Sequence, residues 1–467
     1  MFLIQDGVLP AAVAEAAEVS TTRVEPEVYV PPLPGSEVHR VDGVARDEAL
    51  YFDQMRAKLP AGLGRDGEPL YLDLEFLDGT RGAHVNISGI SGIATKTTYA
   101  TFLLYALFTS HVLGPEAVNT KALVFNVKGE DLLFLDHPNR ELDEEQRARY
   151  DALDLEPKPF TSVAFYAPPR RADPNAGPDV ATRATGVDSF FWTLEEFVAQ
   201  ELLPFVFADA EDERQQYTMV ISNVTAKLRR DGTAYGDDGA WRVDGTILTT
   251  YRDLVDLLVQ RLSDESTARD WAGPAIGMGT INAFIRRLLQ SVRPLGPLVR
   301  ADVPRRARHT VSTSDAQVTV VDLHNLPDRA KRFVVGVILR QEFERKEMSG
   351  PPRPLLFVVL DELNKYAPRE GNSPIKEILL DVAERGRSLG VILIGAQQTA
   401  SEVERRIIAN SAIRVVGRLD PAEAARPEYG FLPPAQRQRA PLAKPGTMVV
   451  AQPQLPVPLV AEFPFPS

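Results

Sequence analysis

The residues of this chain best suited to chemistry lie in the segment 86–98, where two glycines precede a Lys-Thr pair. A run of β-forming residues enters a loop that contains Gly89 and Gly92, and a long apolar segment follows Lys96 and Thr97. A strand, a glycine-containing loop and a helix in this order can cradle a nucleotide phosphate. The glycines let backbone N–H groups approach the phosphates, and a helix N-terminus attracts anions.

Within this segment, Lys96 is expected to reach the β- and γ-phosphate oxygens, and the Thr97 hydroxyl to bind Mg²⁺. The predicted nucleotide-binding residues are Gly89, Ser91, Gly92, Ile93, Ala94, Thr95, Lys96, Thr97 and Thr98. The spacing departs from the common motif G-x-x-x-x-G-K-[ST], because the glycines precede the lysine by seven and four residues. For the loop taken alone, an ordinary glycine turn is therefore an alternative.

A second candidate element is the apolar run 355–360, which is followed by Asp361 and Glu362. A buried parallel strand has this pattern, and functional groups of such sheets lie at the carboxyl ends of the strands. We expect Asp361 to hold Mg²⁺ and Glu362 to activate the water that attacks the γ-phosphate. A solvated acidic turn is the alternative. The two motifs together favour a site that binds a nucleotide with Mg²⁺ and hydrolyses its γ-phosphate.

Three further residues complete the predicted catalytic set with Glu362. Gln397 follows the strand 391–396 and is expected to contact the γ-phosphate or the attacking water, although a plain polar loop residue is the alternative. Arg387 ends a predicted helix, where it either approaches phosphate, locally or across a subunit boundary, or simply favours the helix dipole. Arg414 is another candidate for an arginine finger, an arginine that contacts the phosphates bound to a neighbouring subunit.

Several basic residues have less specific roles. Lys128 follows a predicted strand at its carboxyl end, where it could face either a nucleotide or a polymer. Three arginine clusters could line a path for DNA, although most clusters of this kind are solvated surface. These clusters are Arg229-Arg230, Arg286-Arg287 and Arg305-Arg306-Ala307-Arg308.

The composition narrows the classes of function. The formal net charge of −12 argues against a surface coated for nucleic-acid binding, but not against a narrow basic channel. Because the 467 residues include no cysteine, disulfides, thiolate metal sites and cysteine nucleophiles are excluded. We identify neither a signal peptide nor a stretch suited to crossing a bilayer, and therefore expect a cytoplasmic protein without a membrane partner.

Alternating strands and helices predict an α/β fold with a largely parallel, doubly wound sheet. The predicted strands are 70–76, 83–88, 122–127, 162–166, 318–323, 355–360, 391–396, 412–418 and 447–451. The main predicted helices are 37–65, 97–113, 328–347, 374–389 and 401–409. Apolar residues recur at helical spacing across 192–298, which indicates a mostly helical insertion.

The chain resembles the HerA/FtsK group of P-loop motor ATPases, and within it the bacterial HerA-like DNA translocases. The resemblance covers roughly residues 65–455. It depends on three segments: 84–97 (HVNISGISGIATKT), 358–368 (VVLDELNKYAP) and 386–398 (GRSLGVILIGAQQ).

This resemblance implies a RecA-like ATPase core with a helical-bundle insertion. It also implies a homo-oligomer, a hexameric ring, that threads duplex DNA through its central pore. A NurA-type nuclease or another effector is the implied partner, in DNA-end processing or antiviral defence. Residues 1–35 are then expected to be a β segment left from a small barrel, followed by the first part of the core (36–136), the insertion (137–315) and the second part of the core with a proline-rich tail (316–467).

Two other functions are consistent with the same residues. A nucleotide-dependent assembly or regulatory module would bind ATP and a protein without moving DNA. A secretion- or conjugation-type motor of the same superfamily would need a membrane anchor, so the sequence alone ranks it last.

Overall fold

The computed structural model describes residues 21–466 except for 25, 29, 32, 34, 91–95, 209–214 and 305–308. The chain divides into two compact units, of which the smaller contains the residues up to Met55 together with Gln454–Val457. Its helix, α1, spans Gly43–Ala49.

Part of the predicted N-terminal β segment lies outside the described residues. The described residues between 21 and 42 form no strand, which differs from the β segment expected over residues 1–35. Pro26 and Pro31 have no N–H group to donate to a strand ladder. The predicted helix 37–65 is also too long, since residues 58–63 form a strand of the larger unit.

The larger unit is built on a sheet of twelve strands, with a separate sheet of three strands, in the part of the chain that is described. The fifteen strands are β1 (Lys58–Leu63), β2 (Pro69–Asp73), β3 (Val85–Ser88), β4 (Lys121–Asn126), β5 (Val163–Ala167), β6 (Val187–Ser189), β7 (Gly232–Tyr235), β8 (Ala240–Val243), β9 (Thr246–Leu248), β10 (Val318–Asp322), β11 (Leu356–Leu360), β12 (Val391–Gln397), β13 (Ile413–Val416), β14 (Thr447–Ala451) and β15 (Leu459–Glu462). The main sheet has the order β2-β1-β15-β14-β13-β3-β12-β11-β4-β10-β5-β6.

The strands from β13 to β6 in this order are all parallel, and the strands from β14 to β2 are antiparallel. Strands β10, β11 and β12 are buried along their whole length and rich in Val, Ile and Leu, as strands covered on both faces are. The predicted parallel α/β sheet is confirmed. Its carboxyl edge brings together the loops that follow β3, β4, β11 and β12.

The remaining helices are α2 (Lys96–Thr109), α3 (Glu144–Ala152), α4 (Leu194–Ala199), α5 (Gln215–Asp231), α6 (Tyr251–Ser263), α7 (Glu265–Ala272), α8 (Met278–Leu295), α9 (Asp328–Ser349), α10 (Leu363–Tyr366), α11 (Pro374–Leu389), α12 (Arg405–Asn410), α13 (Pro421–Ala424) and α14 (Pro434–Arg439). Helix α11 shows why the predicted bounds 374–389 were accurate. The Ser373 side chain accepts the backbone N–H of Lys376 at its start, Pro374 occupies the first turn, and Gly390 ends it with φ +71°.

The helical insertion is shorter than the predicted range 137–315. Strands β5 and β6 lie within that range, yet they extend the main sheet beyond β10. Helices α4 to α8 form the helical part, with the sheet β7-β8-β9 between α5 and α6. These three strands were not predicted, because each has only three or four residues between glycine turns.

Candidate active site

The predicted phosphate-binding loop, called the phosphate loop below, begins at Gly89. It follows the end of β3 and lies next to the carboxyl ends of β12 and β13. The Gly89 N–H donates to the Gln397 carbonyl at 3.1 Å, and the Ile90 N–H donates to the Arg418 carbonyl at 2.7 Å. A Cβ on Gly89 would lie 3.3 Å from the Arg418 carbonyl oxygen, so glycine allows this close approach. The predicted ligands Ser91, Gly92, Ile93, Ala94 and Thr95 lie outside the described residues.

Lys96 is the first residue of α2, and its side chain folds back over the start of the loop. Its Nζ donates to the Gly89 carbonyl at 2.8 Å, and the residue is 1% exposed. Burial lowers the pKa of Lys96 from 10.5 to about 8, although the nearby Asp361 carboxylate opposes the shift. A buried ammonium beside a helix N-terminus is a strong site for an incoming phosphate.

Thr97 and Asp361 meet directly, although 264 residues separate them in the chain. The Thr97 hydroxyl donates to Asp361 Oδ2 at 2.8 Å, and Asp361 is 2% exposed at the end of β11. Only β12 lies between β3 and β11 in the sheet. The phosphate loop and the acidic pair, Asp361 and Glu362, therefore lie at the same edge of the sheet. The predicted convergence of the two segments is present.

Glu362 has a left-handed backbone, with φ +57° and ψ 41°, immediately before α10. Its N–H donates to Asp361 Oδ1 at 2.8 Å, which ties the two acidic residues together. A non-glycine residue in this region carries backbone strain, and such strain is concentrated at functional sites. The Glu362 carboxylate is engaged by Lys365, whose Nζ lies 2.8 Å from Oε2.

Lys128 belongs to the same cluster, although the predicted site omits it. Its Nζ donates to Asp361 Oδ2 at 2.8 Å and lies 4.0 Å from Glu362 Oε1. Its position after β4 was the signal available in the sequence, since β4 is the neighbour of β11 on the side away from β12. Lys128 thus neutralises the Asp361 carboxylate, as Lys365 neutralises that of Glu362.

Gln397 is fully buried at the end of β12, and its side chain bonds to β3. Its Nε2 donates to Asn86 Oδ1 and to Ser88 Oγ, each at 2.8 Å, and its Oε1 accepts the Asn86 amide at 3.3 Å. These contacts hold the two strand ends that support the phosphate loop. Contact with a γ-phosphate would require Gln397 to break some of them, so the predicted sensing role stays a prediction.

The two predicted arginine fingers do not join the acidic pair within one chain. Arg387 lies near the end of α11 and donates to the carbonyls of Gly79 and Thr80, at 2.9 and 2.7 Å. Since β12 begins at Val391, Arg387 lies toward the amino edge of the sheet, opposite the site. Arg414 is partly buried, with its guanidinium 5.4 Å from the centre of the Phe431 ring. Action of either arginine on a neighbouring subunit remains a prediction.

A cavity of about 940 Å³ opens beside the acidic pair, between the first turn of α2 and the loop after β4. Thr97, Thr98, Lys128 and Asp361 line one side of it. Binding sites for small molecules commonly have volumes of a few hundred to about 1,000 Å³. The cavity is therefore large enough for the phosphates of a nucleotide and their surrounding water.

The donors at this edge suit Mg²⁺. The Thr97 hydroxyl and the Asp361 carboxylate are the oxygen ligands that Mg²⁺ prefers, and the Lys128 ammonium already occupies a cation position on Asp361. The described residues contain no group of three His, Asp or Glu side chains able to hold a metal. Mg²⁺ usually takes only one or two protein ligands and fills its shell with water and substrate phosphates, so the two donors fit.

Comparison with known proteins gives a match at the level of structure only. No family model matches this chain, and no curated protein matches its sequence. Within the described part of the chain, each helix is too short or too polar to cross a membrane.

The fold is similar to that of VirB4 of Thermoanaerobacter pseudethanolicus, with a TM-score of 0.52 and 15% identity over 87% of this chain and 96% of that one. It is also similar to the plasmid coupling protein TrwB in complex with the GTP analogue GDPNP, with a TM-score of 0.50 and 11% identity over 90% and 92% of the two chains. A trigonal form of the conjugative coupling protein TrwB with sulphate gives a TM-score of 0.50 at 12% identity, over 87% and 89%. The chain therefore has a RecA-like P-loop NTPase fold with a mostly parallel sheet and a helical insertion.

Proposed function

We propose that this protein is a ring-forming ATPase that couples ATP hydrolysis to movement along duplex DNA. The observation that carries the ATPase proposal is the hydrogen bond between Thr97 and Asp361 at 2.8 Å, with Lys96 on one side and Glu362 on the other. A phosphate-binding lysine, a hydroxyl, a metal-binding carboxylate and a candidate base meet at one sheet edge. That combination serves phosphoryl transfer.

Each side chain has a distinct task in this proposal. Lys96 binds the β- and γ-phosphates, Thr97 and Asp361 hold Mg²⁺, and Glu362 accepts a proton from the attacking water. Mg²⁺ bound there would stabilise the negative charge that develops on the phosphate oxygens. Lys128 has to leave Asp361 Oδ2 for this arrangement, and Glu362 has to be freed from Lys365 before it can act as a base.

The motor part of the proposal depends on the resemblance of the three sequence segments to HerA/FtsK-type ATPases. It includes a hexamer around duplex DNA, an arginine (Arg387 or Arg414) acting on the neighbouring subunit, and a nuclease partner of the NurA type in end processing or defence. The similar structures are those of VirB4 and the conjugative coupling protein TrwB. They support the superfamily, and at 11–15% identity they do not favour the HerA-like branch.

A motor that moves a substrate in secretion or conjugation is therefore a second candidate, favoured by those same neighbours. Binding of a DNA-end nuclease would support the first candidate, and binding of a membrane-embedded secretion channel would support the second.

The ATPase is tested by two substitutions with a matched control. Glu362→Gln should keep nucleotide binding and lose on the order of 10²–10⁴ in turnover, as expected when a positioned base is removed. Lys96→Ala should weaken nucleotide binding itself. Glu370→Gln changes an exposed glutamate a few residues away and should hydrolyse ATP like the wild type. Near-normal turnover in Glu362→Gln would refute the assigned base.

The motor is tested with duplex DNA. We expect DNA to stimulate ATP hydrolysis and negative-stain images with ATP and DNA to show six-membered rings. ATP hydrolysis that DNA does not change, without rings on DNA, would instead support a nucleotide-dependent assembly module.

A further inference from the structure

Helix α8 (Met278–Leu295) is unusual in its charge. It carries Arg286, Arg287 and Arg293 and has no Asp or Glu, in a chain with 64 acidic and 52 basic residues. Arg286 and Arg293 are seven residues apart, which places them on the same face of the helix. One face of α8 therefore carries positive charge and no acidic residue.

This basic face ends at a cavity of about 320 Å³ that three distant arginines share. Arg293 of α8, Arg171 of the loop after β5, and Arg329 of the first turn of α9 line it together with Pro294 and Pro327. No carboxylate is among these described lining residues. Three cations around one opening repel each other, and a bound anion would remove that repulsion.

Several other arginines of the insertion are paired with acidic residues. Arg229 lies 2.6 Å from Glu201, and Arg230 lies 2.7 Å from Asp231. By contrast, among the described residues, the side chains of Arg171 and Arg293 have neither an ion pair nor a hydrogen bond. Of the predicted DNA clusters, 229–230 is thus already neutralised and 305–308 lies outside the described residues. In the third cluster, Arg286 belongs to the basic face of α8, whereas the Arg287 guanidinium lies 4.9 Å from the centre of the Tyr217 ring.

The position of the cavity relates it to the candidate active site. Arg171 follows the end of β5 at Ala167, and Pro327 follows the end of β10 at Asp322. Strands β5, β10, β4 and β11 are consecutive and parallel in the sheet. Both sites therefore lie at the same carboxyl edge of the sheet, with β4 and β10 between β11 and β5.

We propose that this cavity, with the basic face of α8, binds the phosphate backbone of a nucleic acid. The proposal rests on the proposed function as a DNA-dependent motor and assigns its nucleic-acid contact. Guanidinium groups form paired hydrogen bonds with phosphate oxygens, so Arg171 and Arg293 at this opening suit one backbone phosphate. Arg329 adds positive charge beside them, while its Nη1 donates to the Arg287 carbonyl at 3.2 Å. The next phosphates of the strand would meet Arg286.

The test compares the double variant Arg171→Ala/Arg293→Ala with Arg229→Ala, which removes an arginine that is already paired. Affinity for a fluorescein-labelled duplex is measured by anisotropy at several salt concentrations, without nucleotide. The double variant should bind more weakly, and its slope of log affinity against log salt should fall by about one for each phosphate that the protein no longer neutralises. Arg229→Ala should match the wild type.

The proposal is overturned if the double variant keeps the DNA affinity and the salt slope of the wild type. Loss of inorganic phosphate binding in calorimetry of that same variant would then show that the cavity holds a small anion only. Basal ATP hydrolysis without DNA, measured on the same proteins, should be equal in all of them. If the wild type has no such hydrolysis, the ATPase proposal fails. If the wild type hydrolyses ATP normally and the double variant keeps its DNA affinity, only the nucleic-acid site fails.

Discussion

The depressed pKa of Lys96 predicts that nucleotide affinity falls as pH rises above 8. In the free protein this ammonium is buried, with a pKa of about 8 instead of 10.5. A bound polyphosphate favours the charged form and therefore raises the pKa in the complex. Above pH 8, binding must first return a proton to Lys96, which costs free energy.

The magnitude follows from the two protonation states. With a pKa of about 8, roughly nine tenths of Lys96 is charged at pH 7 and roughly one tenth at pH 9. The affinity should therefore fall about tenfold between these pH values, or about 1.4 kcal/mol. Below pH 7 this residue adds little further change, since it is already charged.

Calorimetric titration with ADP and Mg²⁺ at pH 7, 8 and 9 measures this effect, because terminal phosphates have pKa values near 6 and stay ionised over the range. The matched control is Lys96→Met, which keeps much of the apolar stem and removes the titrating group. It should bind ADP more weakly and with little dependence on pH. Equal wild-type affinity at pH 7 and 9, or an equal decline in Lys96→Met, would show that the buried ammonium is not what the nucleotide meets.

Three other predictions follow from individual contacts. Lys128→Met should lower the Mg²⁺ concentration needed for half-maximal ADP binding, because Asp361 loses its competing ammonium; an unchanged Mg²⁺ dependence would contradict this. Burial lowers the pKa of His84 to about 4. Between pH 6.5 and 4 the unfolded state takes up a proton that the folded state does not, so the free energy of unfolding should fall by on the order of 3 kcal/mol. Urea unfolding should show this loss in the wild type and not in His84→Asn, in which asparagine suits the left-handed backbone. In the same assay, Gly390→Ala should lower the free energy of unfolding far more than Gly350→Ala. Both glycines have positive φ, but only at Gly390 would a Cβ overlap a backbone carbonyl, that of Pro352. Equal losses in the two variants would contradict the clash.

Much of the parallel core was predictable because its signals are local. The strand 391–396 and the helix 374–389 are marked by a continuous apolar run, a capping serine and a terminal glycine, and the structure has β12 and α11 at these places. Strands β1 and β15 were not predicted. Both runs are short, and β1 contains Pro60 and Gly62. The two strands pair with each other at Leu63 and Glu462, a contact between distant parts of the chain that local patterns do not show.

The candidate site was predictable in its backbone and less so in its side chains. Lys96, Thr97, Asp361 and Glu362 were expected at one edge, since carboxyl ends of parallel strands meet there. The sequence could not show that the Lys128 ammonium donates to Asp361, or that the Gln397 amide donates to Asn86. Such contacts depend on the order of the strands in the sheet.

Residue types and spacing alone determined that this protein has an α/β core with a phosphate loop and a separate acidic strand end. Those features follow from hydrophobic periodicity and from the chemistry of glycine, lysine and carboxylates within short windows. Only the tertiary structure decided the partner of each charged side chain. It placed Arg387 away from the acidic pair, and it brought Arg171, Arg293 and Arg329 around one cavity. The physical reason is that charge interactions depend on distance in space, and the order of the strands sets that distance across hundreds of residues.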